Sequence, residues 1–365
     1  MRIALVQAGL GAGGTEKIVN MLARHWSRKH EVRLLVLDGG PSYFDYPPEI
    51  RIEAAPHATG GARPTRRLRD VMWLRERLGD FAPAATLSFL TKVNAMTALA
   101  TRGRRGAFIP SERNNPRAQG TSWPWRVGAD IAAMAADAVV MQTRAAREAL
   151  PRRARARALV IANPAEVPAA AWDGQPPDAP NRFVAVGRLD QQKGFDLLVE
   201  AFALHLARGP AAGTPDRLTI HGEGPERARL EALIRERGLD DRIDLPGRTE
   251  RPGAWLARGG TFVLPSRFEG FPNVLVEALA AGLPAVAFDC RWGPSELIDG
   301  NNGILVPAGD VEALADAMTR VARDADLRGR LAAAAATSVA PLSPERILAL
   351  WDEALATALT RRNSR

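Results

Sequence analysis

Short apolar runs, each followed by a helical pattern, recur through the first half of this chain. Ile3 to Val6, Val32 to Leu37, Ala85 to Phe89, Ala107 to Ile109, Ala138 to Met141 and Leu159 to Ile161 are each long enough only for a strand. Runs that are apolar throughout suit strands covered on both faces, and the helical stretches between them supply the crossovers that parallel strands need. The expected fold is therefore α/β, a parallel sheet wrapped by helices. The pattern starts again at Arg182 to Val186 and continues through Leu218 to Ile220, Ile243 to Leu245, Thr261 to Leu264 and Ala285 to Phe288. A chain of 365 residues is too long for one ordinary core, so two domains are the natural division. The boundaries read as 1–165 and 166–342, with a C-terminal helix over 343–365. That helix starts at Ser343-Pro344-Glu345 and sets Ile347, Leu350, Trp351 and Leu355 along one face. Pro168 to Asn181, rich in proline and alanine without period, reads as a linker.

Open α/β sheets bind ligands beyond the carboxyl ends of their strands, so the loops after the strands carry the functional signal. After Thr261 to Leu264 comes Ser266-Arg267-Phe268-Glu269-Gly270-Phe271-Pro272-Asn273-Val274-Leu275-Val276-Glu277, with Pro272 placed where a helix would begin. Glu269 falls in the loop and Glu277 just over one turn into the helix. The first helical amides, near Asn273, Val274 and Leu275, would have no internal partner and would carry the positive end of the dipole, which invites a phosphate. A carboxylate on each side of an anion hole suits a nucleotide sugar; the plainer alternative is a strand-to-helix connection with two solvated glutamates. After Arg182 to Val186, the loop Gly187-Arg188-Leu189-Asp190-Gln191-Gln192-Lys193-Gly194 carries two cations suited to a diphosphate. After the first strand, the glycines at 9, 11 and 14 satisfy G-x-G-x-x-G and Asp38 ends the second strand, which keeps a dinucleotide site open.

Four of these segments carry a resemblance. Glu269 to Glu277, as E-G-F-P-N-V-L-V-E-A, resembles the E-x7-E motif of retaining GT-B glycosyltransferases of the group 1, family 4 type, the enzymes of bacterial polysaccharide and lipid-linked glycan assembly. Gly187 to Gly194 resembles their G-R-L-x-x-x-K-G element, Gly222-Glu223-Gly224-Pro225 their G-x-G-P turn, and Gly13-Gly14-Thr15-Glu16 their G-G-x-E signature. The resemblance runs from Ile3 to about Val306 and implies two facing Rossmann-like domains with a deep cleft between them. It further implies that the last helix crosses back to the first domain and that Gly247-Arg248 to Trp255 walls the base pocket. Donor-binding positions would be Gly13, Gly14, Gly187, Arg188, Lys193, Gly222, Glu269, Gly270, Phe271, Asn273, Val274, Leu275 and Glu277. Arg188 and Lys193 would stabilise the departing diphosphate, and Glu269 the transferring sugar. Glu16, Asn94, Glu112, Arg113 and Asn114 are the acceptor-side candidates, with turn and capping hydrogen bonds as the alternative use of such residues.

The implied reaction moves a hexose or N-acetylhexosamine from a nucleotide sugar, UDP by default, to a glycan acceptor linked to a polyprenyl diphosphate. A nucleotide-sugar 2-epimerase of the same fold, an NAD-dependent dehydrogenase and a non-catalytic sugar-nucleotide binder are the rivals. No cofactor and no metal are expected, since the histidines are scattered and the one D-x-D spacing, Asp324 and Asp326, lies far from any strand end. Cys290, the only cysteine, fits a reducing compartment and a packing role. The N-terminal apolar run is too short for a signal peptide and no stretch is long enough to span a bilayer, so a cytoplasmic location is expected. Of the net charge, +13 falls in residues 1–165 and −5 in the remainder. The arginine clusters at 63–69, 102–105 and 152–157, with Trp123 and Trp125 beside Arg126, suggest contact with an anionic inner leaflet rather than nucleic acid; core packing of both indoles is the alternative.

Overall fold

The computed structural model describes all residues except 12, 57–62, 115–120, 167–178, 180, 210–214, 250, 252 and 365, and leaves the side chains of 63–65 and 258 undescribed. The linker expectation for Pro168 to Asn181 lies almost wholly outside the described residues, as does His57.

The chain divides into two compact units, Met1–Asn163 with Glu345–Arg365, and Pro164–Pro344. In the first, β1 (Arg2–Gln7), α1 (Gly14–Ser27), β2 (Glu31–Val36), β3 (Arg51–Ala54) and α2 (Arg63–Phe81) lead into β4 (Ala85–Phe89), α3 (Thr91–Thr101) and β5 (Ala107–Glu112). Then follow α4 (Trp123–Ala135), β6 (Val139–Met141), α5 (Arg144–Glu148), α6 (Arg152–Arg155) and β7 (Ala158–Val160). The seven strands are parallel, in the order β3-β2-β1-β4-β5-β6-β7. The second unit holds β8 (Arg182–Val186), α7 (Phe195–Ala207), β9 (Arg217–His221), α8 (Arg227–Glu236), β10 (Ile243–Gly247) and β11 (Thr261–Leu264). It continues with α9 (Asn273–Ala280), β12 (Ala285–Asp289), β13 (Gly303–Pro307), α10 (Val311–Arg323) and α11 (Ala325–Ser338). Its six strands are parallel too, in the order β10-β9-β8-β11-β12-β13.

Both units are thus Rossmann-like α/β sheets, and the apolar strand runs explain why. Ile3, Ala4, Leu5 and Val6 are fully buried, as are Phe262 and Val263, so helices cover both faces. The final helix, α12 (Pro344–Asn363), packs within the first unit from Glu345 onward. Its Trp351 is fully buried with its ring 6.0 Å from that of Phe89, and Asp352 accepts from the indole of Trp26 at 2.7 Å.

Three details depart from the sequence expectation. The short strand β3 has no apolar run to announce it: of Arg51, Ile52, Glu53 and Ala54 only Glu53 is even half-buried, so pairing with β2 rather than packing defines it. β5 runs to Glu112, three residues beyond its apolar stretch, and the proline within it is tolerated because pairing with β6 starts only at Ser111. Pro272 caps α9 instead of opening it.

Candidate active site

In each sheet the strand order reverses between two neighbours whose connections leave in opposite directions, β1 and β4 in the first and β8 and β11 in the second, which is where open α/β sheets form a ligand crevice. In the second unit this places the loop 187–194, after β8, against the loop 265–272, after β11. Gly194 shows how close the approach is: at φ +66° a Cβ on it would lie 2.1 Å from the carbonyl oxygen of Pro265. The two loops are stapled. The amide of Arg267 donates to Gln192 O at 2.8 Å, Gln192 Nε2 donates to Phe268 O at 3.1 Å, and the Arg267 guanidinium grips both oxygens of Asp196 at 2.8 Å. That bidentate bond holds the Asp196 carboxyl below its ordinary range.

At the centre of the staple, Lys193 Nζ donates to Glu269 Oε1 at 2.7 Å, and Ser266 Oγ donates to the same oxygen at 2.6 Å. Glu269 is buried and Lys193 largely so. Arg188 stands differently: its side chain is 72% exposed and is steadied by Asp190 Oδ2 at 2.6 Å, whose other oxygen caps the turn at the Lys193 amide. One cation is therefore locked to a buried carboxylate while the other reaches into solvent. Glu277 is half-buried on α9 and engaged with a neighbour.

The expected anion hole is partly closed. Asn273 N donates to Phe271 O and Leu275 N to Pro272 O, both at 3.0 Å, because Pro272 turns the chain tightly at the cap. Of the three amides, Val274 N alone lacks a backbone acceptor among the described residues. The side chains of Phe271 and Leu275 lie in the interior, which leaves those residues only backbone atoms to offer a ligand, and Gly270 is buried beside them. Gly187 packs on the Lys193 side chain, and Gly222, at φ +151°, lies so close that an added Cβ would sit 1.8 Å from Gly187 O. Trp255 is buried 5.4 Å from the ring of Phe262 and supports β11 from within. Cys290 is buried, and burial, reinforced by the nearby Glu269 charge, pushes its thiol up to about 12.

In the first unit, Gly13 caps α1 and Gly14 opens it, with the Glu16 carboxylate folded back so that a Cβ on Gly13 would meet it at 2.3 Å. Burial raises the Glu16 carboxyl above its usual range. Asn94 is committed to the frame: its Oδ1 accepts from Ser88 Oγ at 2.7 Å and its Nδ2 donates to Ser111 O at 3.0 Å, clipping α3 to β4 and β5. Arg113 is buried as well, bonded to Asn163 and stacked 5.9 Å from the Trp351 ring. Glu112 accepts from Thr91 Oγ1 at 2.8 Å and from the amides of Arg113 and Asn114 at 3.0 and 3.2 Å. Desolvation outweighs these bonds and lifts its carboxyl to about 7. Leu90, between β4 and this cluster, is held at φ +77°, a strained conformation for a side-chain-bearing residue.

The Glu112 shift has a signed consequence. Its folded-state pKa lies above the unfolded value, so the stability it contributes is present below about pH 4.5 and is lost as pH rises through about 7. Thermal melts across pH 4 to 8 are expected to show the wild type losing ground to Glu112→Gln over that window. Parallel melting curves at every pH would show that the carboxyl titrates normally.

Ser266, Asp190, Gln192 and the Arg267–Asp196 brace were not singled out in the sequence. Asp190, three residues before Lys193, could have been found as a turn cap, and Ser266, three before Glu269, as a local partner; Gln192 and the Arg267–Asp196 brace pair across more than 70 residues and leave no local trace. His205, Asp216 and Thr319 form a further buried polar cluster, packed under Phe183 and Phe202, which belongs to the core. Among the described residues, no group of three or more His, Cys, Asp or Glu is placed to hold a metal ion, and no helix is long and apolar enough to cross a membrane.

Residues 180–324 match the family described as glycosyl transferases group 1. A GalNAc-α-(1→4)-GalNAc-α-(1→3)-diNAcBac-PP-undecaprenol α-1,4-N-acetyl-D-galactosaminyltransferase of Campylobacter jejuni is 26% identical over 335 residues, 91% of each chain. The chain spans less than half the length of the first curated relatives it matches. Among solved structures, the apo form of the lipopolysaccharide outer core galactosyltransferase WaaB superposes with a TM-score of 0.76 at 20% identity, covering 98% of this chain and 99% of that one. Anabaena HepE in complex with UDP superposes at 0.77 with 18% identity, covering 98% and 100%. At these identities the structural likeness speaks for the fold, which is GT-B.

Proposed function

From a GT-B chain whose residues 180–324 match the group 1 glycosyl transferases, we propose a retaining, metal-independent transferase that moves a hexose or N-acetylhexosamine from a nucleotide sugar to a lipid-linked glycan. The observation that carries this reading is the Lys193–Glu269–Ser266 cluster at the reversal point between β8 and β11, with Arg188 exposed beside it. Lys193 and Arg188 bind the donor diphosphate. Lys193 thereby exchanges part of its bond to Glu269 for the phosphate, and Glu269 gains freedom to meet the positive charge that grows at the anomeric carbon. The bond from that carbon to the phosphate oxygen breaks as the acceptor oxygen bonds on the same face, and the acceptor proton passes to the departing phosphate. Ser266 and Lys193 already occupy Glu269 Oε1, which suits an electrostatic partner better than the nucleophile of a double displacement. Glu277 binds the ribose hydroxyls and Val274 N an oxygen of the phosphate.

The UDP assignment leans on the UDP complex of HepE, and the lipid-linked acceptor on the Campylobacter relative. With such an acceptor, the reaction belongs on the cytoplasmic face of the membrane. Thermal shift against UDP- and GDP-sugars tests the donor: a shift with one of them supports the reading, and a shift with NADH alone would replace it with the dehydrogenase. Consumption of sugar nucleotide without acceptor would point to the 2-epimerase. Full activity in excess EDTA is expected, because two cations and a helix amide take the place of a metal at the diphosphate; activity restored only by a divalent cation would refute it.

A further inference from the structure

Large apolar side chains that remain exposed are not spread over this protein. All ten of them among the described residues lie in the first unit, and seven lie on α2, α3 and α4. On α4, Trp123, Val127, Ile131 and Met134 are 67, 45, 51 and 42% exposed and fall at i, i+4, i+8 and i+11, one continuous outer stripe. Its opposite face buries Ala132 and Ala133. Leu68 and Met72 on α2 and Leu99 on α3 are exposed as well. Between α2 and α4, floored by Ala95, Met96 and Phe108, runs an apolar groove of 780 Å³, the size of a pocket for a sizeable ligand. A stripe and groove of this extent mark an interaction site.

Charge selects the occupant. Arg69, Arg102, Arg105 and Arg126 are exposed around the stripe and groove, and none is in an ion pair among the described residues. The acids nearby are spoken for: Asp70 is buried beside Arg67, Asp137 is buried and accepts from the Phe108 amide, and Asp80, further along α2, lies 3.6 Å from Arg77. Asp130 on α4 is half-buried and engaged with a neighbour. A two-fold contact between copies would set this patch against itself and bring arginine against arginine. An anionic surface meets both the apolar stripe and the basic rim.

We propose that the outer face of α2, α3 and α4 docks on an anionic phospholipid bilayer, with the α4 stripe at the headgroup boundary and a lipid hydrocarbon chain in the groove. Docking deepens the proposed function by holding the enzyme where a lipid-linked acceptor resides, and it rests on that reading only for its purpose. The two tryptophans divide the work. Trp123 enters the interface, whereas Trp125, half-buried with Arg67 5.9 Å from its ring, shapes the groove wall.

The test is flotation with vesicles of phosphatidylcholine containing phosphatidylglycerol, against phosphatidylcholine alone. Wild type is expected to float with the anionic vesicles, less at high salt, and not with the neutral ones. Val127→Glu/Ile131→Glu, on exposed positions that leave the fold intact by circular dichroism, should lose binding more than tenfold. Arg102→Ala/Arg126→Ala should weaken it about fivefold per arginine removed. Wild type that stays unbound at low salt, or variants that float unchanged, would overturn the proposal. So would a dimer in light scattering that Ile131→Glu splits, since the face would then join two copies. A UDP-induced thermal shift measured on the same samples is independent: if it is missing while anionic flotation holds, the docking surface stands and the transferase reading fails.

Discussion

Glu269→Gln is expected to lower turnover by about a hundredfold to a thousandfold, the usual cost of losing one charged contact aimed at developing charge. Glutamine keeps the volume and can still accept from Ser266, so the loop 265–272 should stay in place. What disappears is the negative charge proposed to face the anomeric carbon. The same change releases the Lys193 ammonium from its partner at 2.7 Å, and a freed ammonium binds diphosphate at least as well. The variant should therefore combine a collapsed kcat with an unchanged or lower KM for the donor, the signature of an interaction made in the transition state. Lys193→Ala should raise KM and lower kcat together, because it removes the proposed diphosphate contact and leaves Glu269 buried without a counter-charge. That orphaned charge costs on the order of 1 to 3 kcal/mol of stability, below the figure for a fully buried pair because the lysine keeps some exposure. Double-mutant coupling near zero, or Glu269→Gln turning over at close to the wild-type rate, would remove this pair from the mechanism.

The two-sheet plan was legible because parallel strands buried on both faces must be apolar throughout, and runs such as Ile3 to Val6 and Thr261 to Leu264 can hardly be read otherwise. β3 was not, since its residues are mostly exposed and its place is set by pairing with β2. At the candidate site, glycines and charges at the ends of β8 and β11 marked the loops, but not the contact between them. Lys193 meets Glu269 across 76 positions of sequence, and only the strand order makes those loops neighbours. Burial was the other quantity the sequence hid. Of the two uses the sequence allowed Asn94, the structure shows the framework one, a clip between α3 and the strands, and Trp255, at the end of the segment read as a pocket wall, is buried. On α4 the two tryptophans part, Trp123 exposed and Trp125 half-buried, and the exposed stripe continues through Val127, Ile131 and Met134, which the sequence did not mark.

Gly222→Ala should disable the site without touching a charged group. At φ +151° Gly222 occupies backbone space that a side-chain-bearing residue enters only under strain, about 1 to 3 kcal/mol. Strain is the smaller part: the new Cβ would lie 1.8 Å from Gly187 O, a backbone atom that cannot swing aside as a side-chain end would. Something must shift, and the backbone it presses on belongs to the loop 187–194, which carries Arg188 and Lys193. Gly224 resists the same movement from the other side, where a Cβ would stand 2.3 Å from Leu189 O. Donor affinity is therefore expected to fall by at least tenfold, with a lower melting temperature, while circular dichroism keeps its α/β form. Isothermal titration with UDP reads the affinity directly. Wild-type affinity in Gly222→Ala would mean that the position of the 187–194 loop does not govern diphosphate binding, and with it that Arg188 and Lys193 are not the groups that hold the leaving phosphate.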